Sequence, residues 1–139
     1  MTDSVPKPIP EITEELRPFF AATREGRLVV QRCTACGRRR FPPRDICSEC
    51  LGREAEWVAS SGRGRVVSFD VMHQVYHPGF AAEVPYALVL VELEDGGRMT
   101  TNVVDCPLER LRAGLPVEVT FERRSADVVL PQFRPRARA

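Results

Sequence analysis

Cysteine supplies the most specific chemistry in this sequence. Cys33-Thr34-Ala35-Cys36 and Cys47-Ser48-Glu49-Cys50 are two Cys-x-x-Cys knuckles, each offering two thiolates from one tight turn. Two such turns complete a tetrahedron around Zn²⁺, which favours sulfur ligands. Only residues 37–46 separate the knuckles, which predicts a small ribbon rather than a finger built on a helix. Protein sulfur fills all four positions and leaves none for water or substrate, so the expected metal is structural. Iron in a rubredoxin-like site is the competing metal, and a pair of disulfides is the reading without one. Gly37 follows the first knuckle, where a residue without Cβ lets the chain turn back over the metal. Gly52 is expected to do the same after the second, displaced by one residue.

The remaining reactive side chains do not assemble into a catalytic pattern. His73 and His77 fall at a strand end and its loop. Four residues apart on a strand they would lie about 13 Å from each other, too far to share a metal. Cys106, the odd thiol, precedes Pro107 with no histidine nearby in sequence, and reads as a buried structural cysteine. Glu92, Glu94 and Asp95 read as a solvated acidic hairpin tip. There is no Gly-x-Ser-x-Gly, no phosphate-binding glycine loop and no His-Glu-x-x-His.

Charge narrows the classes further. Twenty basic residues face nineteen acidic ones, a net charge of +1, without the basic excess usual in a nucleic-acid binder. The base is local: Arg38-Arg39-Arg40 and Arg44 in the ribbon, and Arg134, Arg136 and Arg138 in the tail. No apolar run is long enough to span a bilayer. Met1-Thr2-Asp3-Ser4-Val5-Pro6 lacks the basic and apolar regions of a signal peptide. Thiols in metal spacing and no export signal together predict a cytoplasmic chain with no membrane association.

The elements that must position these groups follow from pattern. Pro6, Pro8 and Pro10 predict an extended, poorly packed start. Thr13 to Leu16 reads as a capped turn of helix, and Pro18 opens a second short helix through Phe19-Phe20 that stops near Gly26. Leu28–Gln31 and Ala55–Val58 read as strands flanking the knuckles. Val67, Phe69, Val71, His73 and Val75 are expected to share one face of a half-buried strand. Tyr86–Leu93 is apolar on both faces and central. Glu94-Asp95-Gly96-Gly97 turns a hairpin into 98–104. A short helix at 107–111 precedes strands at 117–122 and 128–130.

About five strands with one short helix before the fourth predict a small closed barrel of OB type. The fold class is thus mainly β: short N-terminal helices, a zinc ribbon, then a five-stranded OB-fold barrel. The expected divisions are 1–27 for the extended segment and helices, 28–60 for the ribbon, 61–131 for the barrel and 132–139 for a tail.

The order of short motifs resembles a known family. Cys33-x-x-Cys36-Gly37, Phe41-Pro42-Pro43-Arg44, the second knuckle and Gly62-Arg63-Gly64-Arg65-Val66-Val67-Ser68-Phe69 are similar to the acyl-CoA-associated OB-fold proteins. Pro18-Phe19-Phe20, Gly26-Arg27-Leu28, Val84-Pro85-Tyr86, Gly97-Arg98 and Pro131-Gln132-Phe133-Arg134-Pro135 continue the pattern over nearly the whole chain. Leu51 departs from it, standing where a glycine often follows the second knuckle, and the tail after Pro135 has no clear counterpart.

The resemblance implies a rubredoxin-like ribbon whose ligands are Cys33, Cys36, Cys47 and Cys50. It also implies a non-catalytic companion of a thiolase, a lipid-transfer-protein-like aldolase or a hot-dog-fold enoyl-CoA hydratase. Such a companion would stabilise its partner or hold the CoA thioester, in lipid or steroid metabolism. Phe19, Phe20, Tyr76, His77 and Phe80 are then the expected docking residues, and Arg44, Arg63 and Arg65 the expected contacts to CoA phosphates. The alternative is a single-stranded nucleic-acid-binding module, which needs stacking aromatics and a basic groove. Phe69, Tyr76, Phe80 and Tyr86 could supply the aromatics; acidic residues on the strands oppose the groove. An iron electron carrier and an independent enzyme rank below it.

Overall fold

A computed structural model describes residues 5–137. Residues 1–4 of the expected extended segment, and Arg138 with the end of the tail, lie outside the described residues.

Two sheets share one apolar core. β1 (Val29–Cys33) is flanked by β2 (Arg39–Arg40) and β3 (Ala55–Ala59) in an antiparallel ribbon. β4 (Arg63–Met72), β5 (Tyr86–Leu93), β6 (Arg98–Val103), β7 (Pro116–Arg123) and β8 (Val129–Pro135) close a barrel in the order β4-β5-β6-β8-β7. All barrel pairs are antiparallel except β6–β8, which meet in parallel at Val103 and Phe133. This order and single parallel contact are those of an OB barrel. Val66, Val89, Val91, Val117 and Phe133 fill its interior.

The helix α1 (Arg17–Arg24) closes the angle between ribbon and barrel. Pro18 occupies its first turn, where a missing N–H costs nothing, and Gly26 follows its end at φ 75. Phe19, Phe20, Ala22 and Thr23 are buried, the first three in a single cluster with Val30 of the ribbon and Val91 and Met99 of the barrel.

Several expectations change in three dimensions. The start of the chain is strapped to the barrel: Lys7 pairs with Glu83 and Glu122 at 3.0 and 3.4 Å, and Arg124 donates to the Pro8 carbonyl. A Cβ on Gly79 would lie 2.7 Å from the Lys7 Cα, so only glycine admits this strap. In β4 the pairing slips at Val67, from Val66↔Val91 to Ser68↔Leu90. That bulge breaks the alternation: Gly64 and Val66 are buried, Val71 is half-buried and Phe69 is exposed, so the five odd positions do not share one continuous face. His73 and Val75 lie beyond the strand and are exposed.

The expected helix at 107–111 is one 3₁₀ turn, Leu108–Arg110. The last strand is longer than expected: β8 runs through Pro135, so the expected tail boundary at 132 falls inside the barrel. Prolines read as a strand end, but the Phe133 carbonyl accepts from Val104 N–H. Residues 131 and 135 therefore turn their missing N–H toward sparsely paired β6, while β7 pairs with every residue of β8.

Candidate metal centre and ribbon–barrel cleft

Local hydrogen bonds shape the two knuckles alike. Gly37 N–H donates to the Cys33 carbonyl at 2.8 Å, and Leu51 N–H to the Cys47 carbonyl at 3.0 Å. Gly37 and Leu51 both adopt left-handed backbone, at φ 80 and 64. Leu51, not Gly52, thus takes the turning position after the second knuckle. Gly52 serves a different need. A Cβ there would lie 3.2 Å from both Ala35 Cβ and Cys50 Sγ, so the close approach of the two knuckles excludes it.

The four sulfurs lie within 4.8 Å of one another, with Cys33–Cys50 at 3.5 Å and Cys36–Cys47 at 3.7 Å. A Zn–S bond of about 2.3 Å requires tetrahedral edges of about 3.8 Å, so the donor set fits such an ion. The same distances are far beyond a disulfide bond, and all the cysteines are free. Cys33 and Cys47 are buried, while Cys36 and Cys50 face outward.

The backbone prepares thiolates. The Cys36 N–H, helped by Ala35 N–H and the neighbouring thiols, draws the Cys33 thiol down to about 6 against the opposing effect of burial. Cys50 and Glu49 N–H groups likewise lower Cys47. Gly52 N–H pulls on Cys50, yet crowding by Cys33, burial and the two other thiols push it up to about 12. A cation among the sulfurs would offset the crowding that raises Cys50.

The ribbon is locked to the barrel through the β5–β6 hairpin. Asp95 accepts from Ser60 Oγ at 3.0 Å and Ser61 N–H at 2.8 Å, and faces Arg39 at 3.7 Å. It is a latch between the two sheets rather than a solvated tip. A Cβ on Gly96 would lie 3.1 Å from the Arg39 Cβ, so the hairpin needs glycine to reach the ribbon. Between Arg38-Arg39-Arg40 on one side and Glu92–Arg98 on the other lies a cleft of about 490 Å³.

The expected docking and phosphate residues scatter. Phe19 and Phe20 are 3% and 4% exposed, with Phe19 stacked 4.7 Å from Phe41 and 6.3 Å from Trp57. They hold ribbon to barrel and present no surface, which corrects their expected docking role. Tyr76 is 71% exposed. His77 caps a 3₁₀ turn, its Nδ1 accepting from Gly79 N–H, and Phe80 packs 5.5 Å from Tyr86 with Lys7 over its ring.

Arg63 pairs with Glu94 and Arg65 with Glu92, so each already has a carboxylate. Arg65 and Arg98 together hold Glu92 below the usual carboxylate range. Arg44 is exposed on the ribbon, away from both. Cys106 is half-buried beside the Pro107 carbonyl. Sequence reading did not assign roles to Leu51, Asp95 or the individual arginines 38–40; the Arg38-Arg39-Arg40 run was the only signal for the last.

A four-thiolate ribbon fused to an OB barrel through a shared core defines a small class of two-part proteins. Comparison with known sequences gives the family. Residues 20–56 match the ChsH2 rubredoxin-like zinc ribbon domain, and residues 57–122 match the ChsH2 C-terminal OB-fold domain. The chain belongs to the ChsH2 family, whose relatives also carry the name DUF35.

A probable enoyl-CoA hydratase alpha subunit of Thermomonospora curvata is 37% identical over 137 residues, covering 96% of this chain and 42% of the relative. The chain therefore spans less than half of that longer protein. A DUF35 domain-containing scaffold protein of Methanocaldococcus jannaschii is 39% identical over 101 residues, covering 72% of this chain and 71% of the relative. Among solved structures, a chain of the Ltp2-ChsH2(DUF35) aldolase superposes with a TM-score of 0.81 at 37% identity, covering 91% of this chain and 98% of that one. Among the described residues no helix is long and apolar enough to cross a membrane.

Proposed function

We propose that this chain is a non-catalytic accessory subunit of an acyl-CoA enzyme of the aldolase, thiolase or enoyl-CoA hydratase kind. The observation that carries the reading is the near-complete superposition on the ChsH2(DUF35) chain of an aldolase. The name of the archaeal scaffold protein supports the non-catalytic part, and that of the hydratase alpha subunit supports the link to an acyl-CoA enzyme. Two of the groups that could do acid–base work are engaged: Glu92 lies between two arginines and His77 caps a turn. Tyr76, with the neighbouring exposed Val75 and Phe69, is the docking candidate that survives burial. The CoA thioester is taken to lie at the interface with the partner, in a cytoplasmic complex.

The metal is zinc in a structural role, held by Cys33, Cys36, Cys47 and Cys50. A colourless protein with one zinc per chain supports this; a red protein with iron overturns it. The subunit reading is tested by purifying the tagged chain from its own cells. An aldolase, thiolase or hydratase subunit co-eluting in constant ratio, and lost in Tyr76→Ala, is the expected result. Elution of the chain alone at every salt concentration would sink the proposal.

A further inference from the structure

The ribbon–barrel cleft carries charge that the protein does not neutralise. Of the four arginines lining it, Arg38 has Glu49 at 3.4 Å, Arg39 has Asp95 at 3.7 Å and Arg98 has Glu92 at 3.0 Å. Arg98 shares that carboxylate with Arg65, which approaches it at 2.7 Å, and Glu94, the other carboxylate on the lining, is divided between Arg63 at 3.2 Å and Arg136 at 3.1 Å. Arg40 has no carboxylate among the described residues. Its Nε donates to Gln31 Oε1 at 3.0 Å and its Nη2 to the Arg44 carbonyl at 2.8 Å, both neutral acceptors. Its Nη1 is shielded from solvent with no partner at all among the described residues. A half-buried guanidinium without counter-charge is costly, and a positioned anion removes that cost.

The geometry suits an anion with several oxygens. Neutral acceptors fix the Arg40 fork on one wall, and Arg98 stands on the other. Between them the wall is Gly96-Gly97, with Gly96 packed against the Arg39 side chain. One fully uncompensated arginine and one that shares its carboxylate leave a surplus above a single charge. That surplus matches a phosphoryl dianion better than a lone carboxylate, and guanidinium forks match phosphate geometry.

We infer that the cleft between the Arg38-Arg39-Arg40 wall and the Gly96-Gly97-Arg98 hairpin is a binding site for a phosphoryl group, free or esterified, held between Arg98 and the uncompensated charge of Arg40. The site stands on the chemistry of the cleft, whichever subunit the chain joins, and it replaces the scattered Arg44, Arg63 and Arg65 as the place where phosphate would be held.

The test is a titration of the full, zinc-loaded chain, followed by the amide resonances of Gly96 and Gly97. The probes are inorganic phosphate, inorganic diphosphate and adenosine 5′-diphosphate. Saturable shifts that weaken with added salt are expected. Arg40→Gln and, separately, Arg98→Gln should each weaken binding about tenfold or more, while Arg134→Gln, outside the cleft lining, leaves it unchanged. Arg98→Gln keeps the test decisive if Arg40→Gln disturbs the ribbon. Nucleotide binding tenfold tighter than diphosphate assigns the site to an ester, and equal affinities assign it to the free anion. No saturable shift with any probe overturns the site, as does equal affinity in both variants. So does a response to a poly-glutamate peptide alone, which would make the cleft a surface for an acidic chain. Because the titration uses the isolated chain, its failure leaves the co-elution result standing, and the reverse.

Discussion

Replacing Leu51 by glycine should stabilise this protein, although it removes a large apolar side chain. Leu51 is 73% exposed, so little buried area is lost. Its backbone is left-handed at φ 64, a conformation costing an L-residue roughly 1–2 kcal/mol. Glycine adopts it freely but gives back about 0.5–1 kcal/mol through the greater freedom of its unfolded chain. The net expectation is a gain of about 0.5–1 kcal/mol, or about 1–4 °C in Tm. Gly52→Ala is the paired control. Its Cβ would press on Cys50 Sγ at 3.2 Å, so it should lower Tm and speed loss of metal to a chelator. Thermal unfolding of the zinc-loaded variants, with chelator competition, measures both effects. If Leu51→Gly lowers Tm while Gly52→Ala does nothing, the assignment of the two positions is wrong.

Three further outcomes follow from the same structure. Phe133→Ala empties the centre of the barrel and should cost about 3–5 kcal/mol, read as a fall in the denaturant midpoint. Stripping the metal should collapse the ribbon's amide dispersion. It should also shift Gly96 and Gly97, because Val30 of β1 packs within the barrel's own cluster; re-addition of zinc restores both, and an unmoved hairpin would contradict the shared core. Glu92→Gln should lower Tm at neutral pH. Arg65 and Arg98 depress the folded carboxyl below its reference of 4.5, so its contribution is present above that value and lost as pH falls through the folded one. The variant and the parent should therefore converge in strong acid, and a constant difference at every pH would refute the ion-pair origin.

The sequence by itself determined what chain-local chemistry determines. Cys-x-x-Cys places two sulfurs on one turn whatever lies around it, so the four-sulfur cluster was legible from spacing alone. The barrel was legible because the apolar run of β5, the alternation along β7 and the Gly96-Gly97 turn are local signals as well. Tertiary structure decided the rest, because contacts between distant segments leave no local mark. Phe19 and Phe20 fit a docking pair in the sequence, and only the fold buries both, with Phe41 and Trp57 packed against Phe19. Pro131 and Pro135 looked like the end of a strand until sparsely paired β6 proved to lie on the side of their missing N–H. Asp95 became a latch only because Ser60, Ser61 and Arg39 converge on it. Arg40 was one of three equal arginines in the chain, and only the fold separated the two with carboxylates from the one without. Charge in a sequence can be counted, but its compensation depends on which oxygen lies within a few ångströms, and that is fixed by packing.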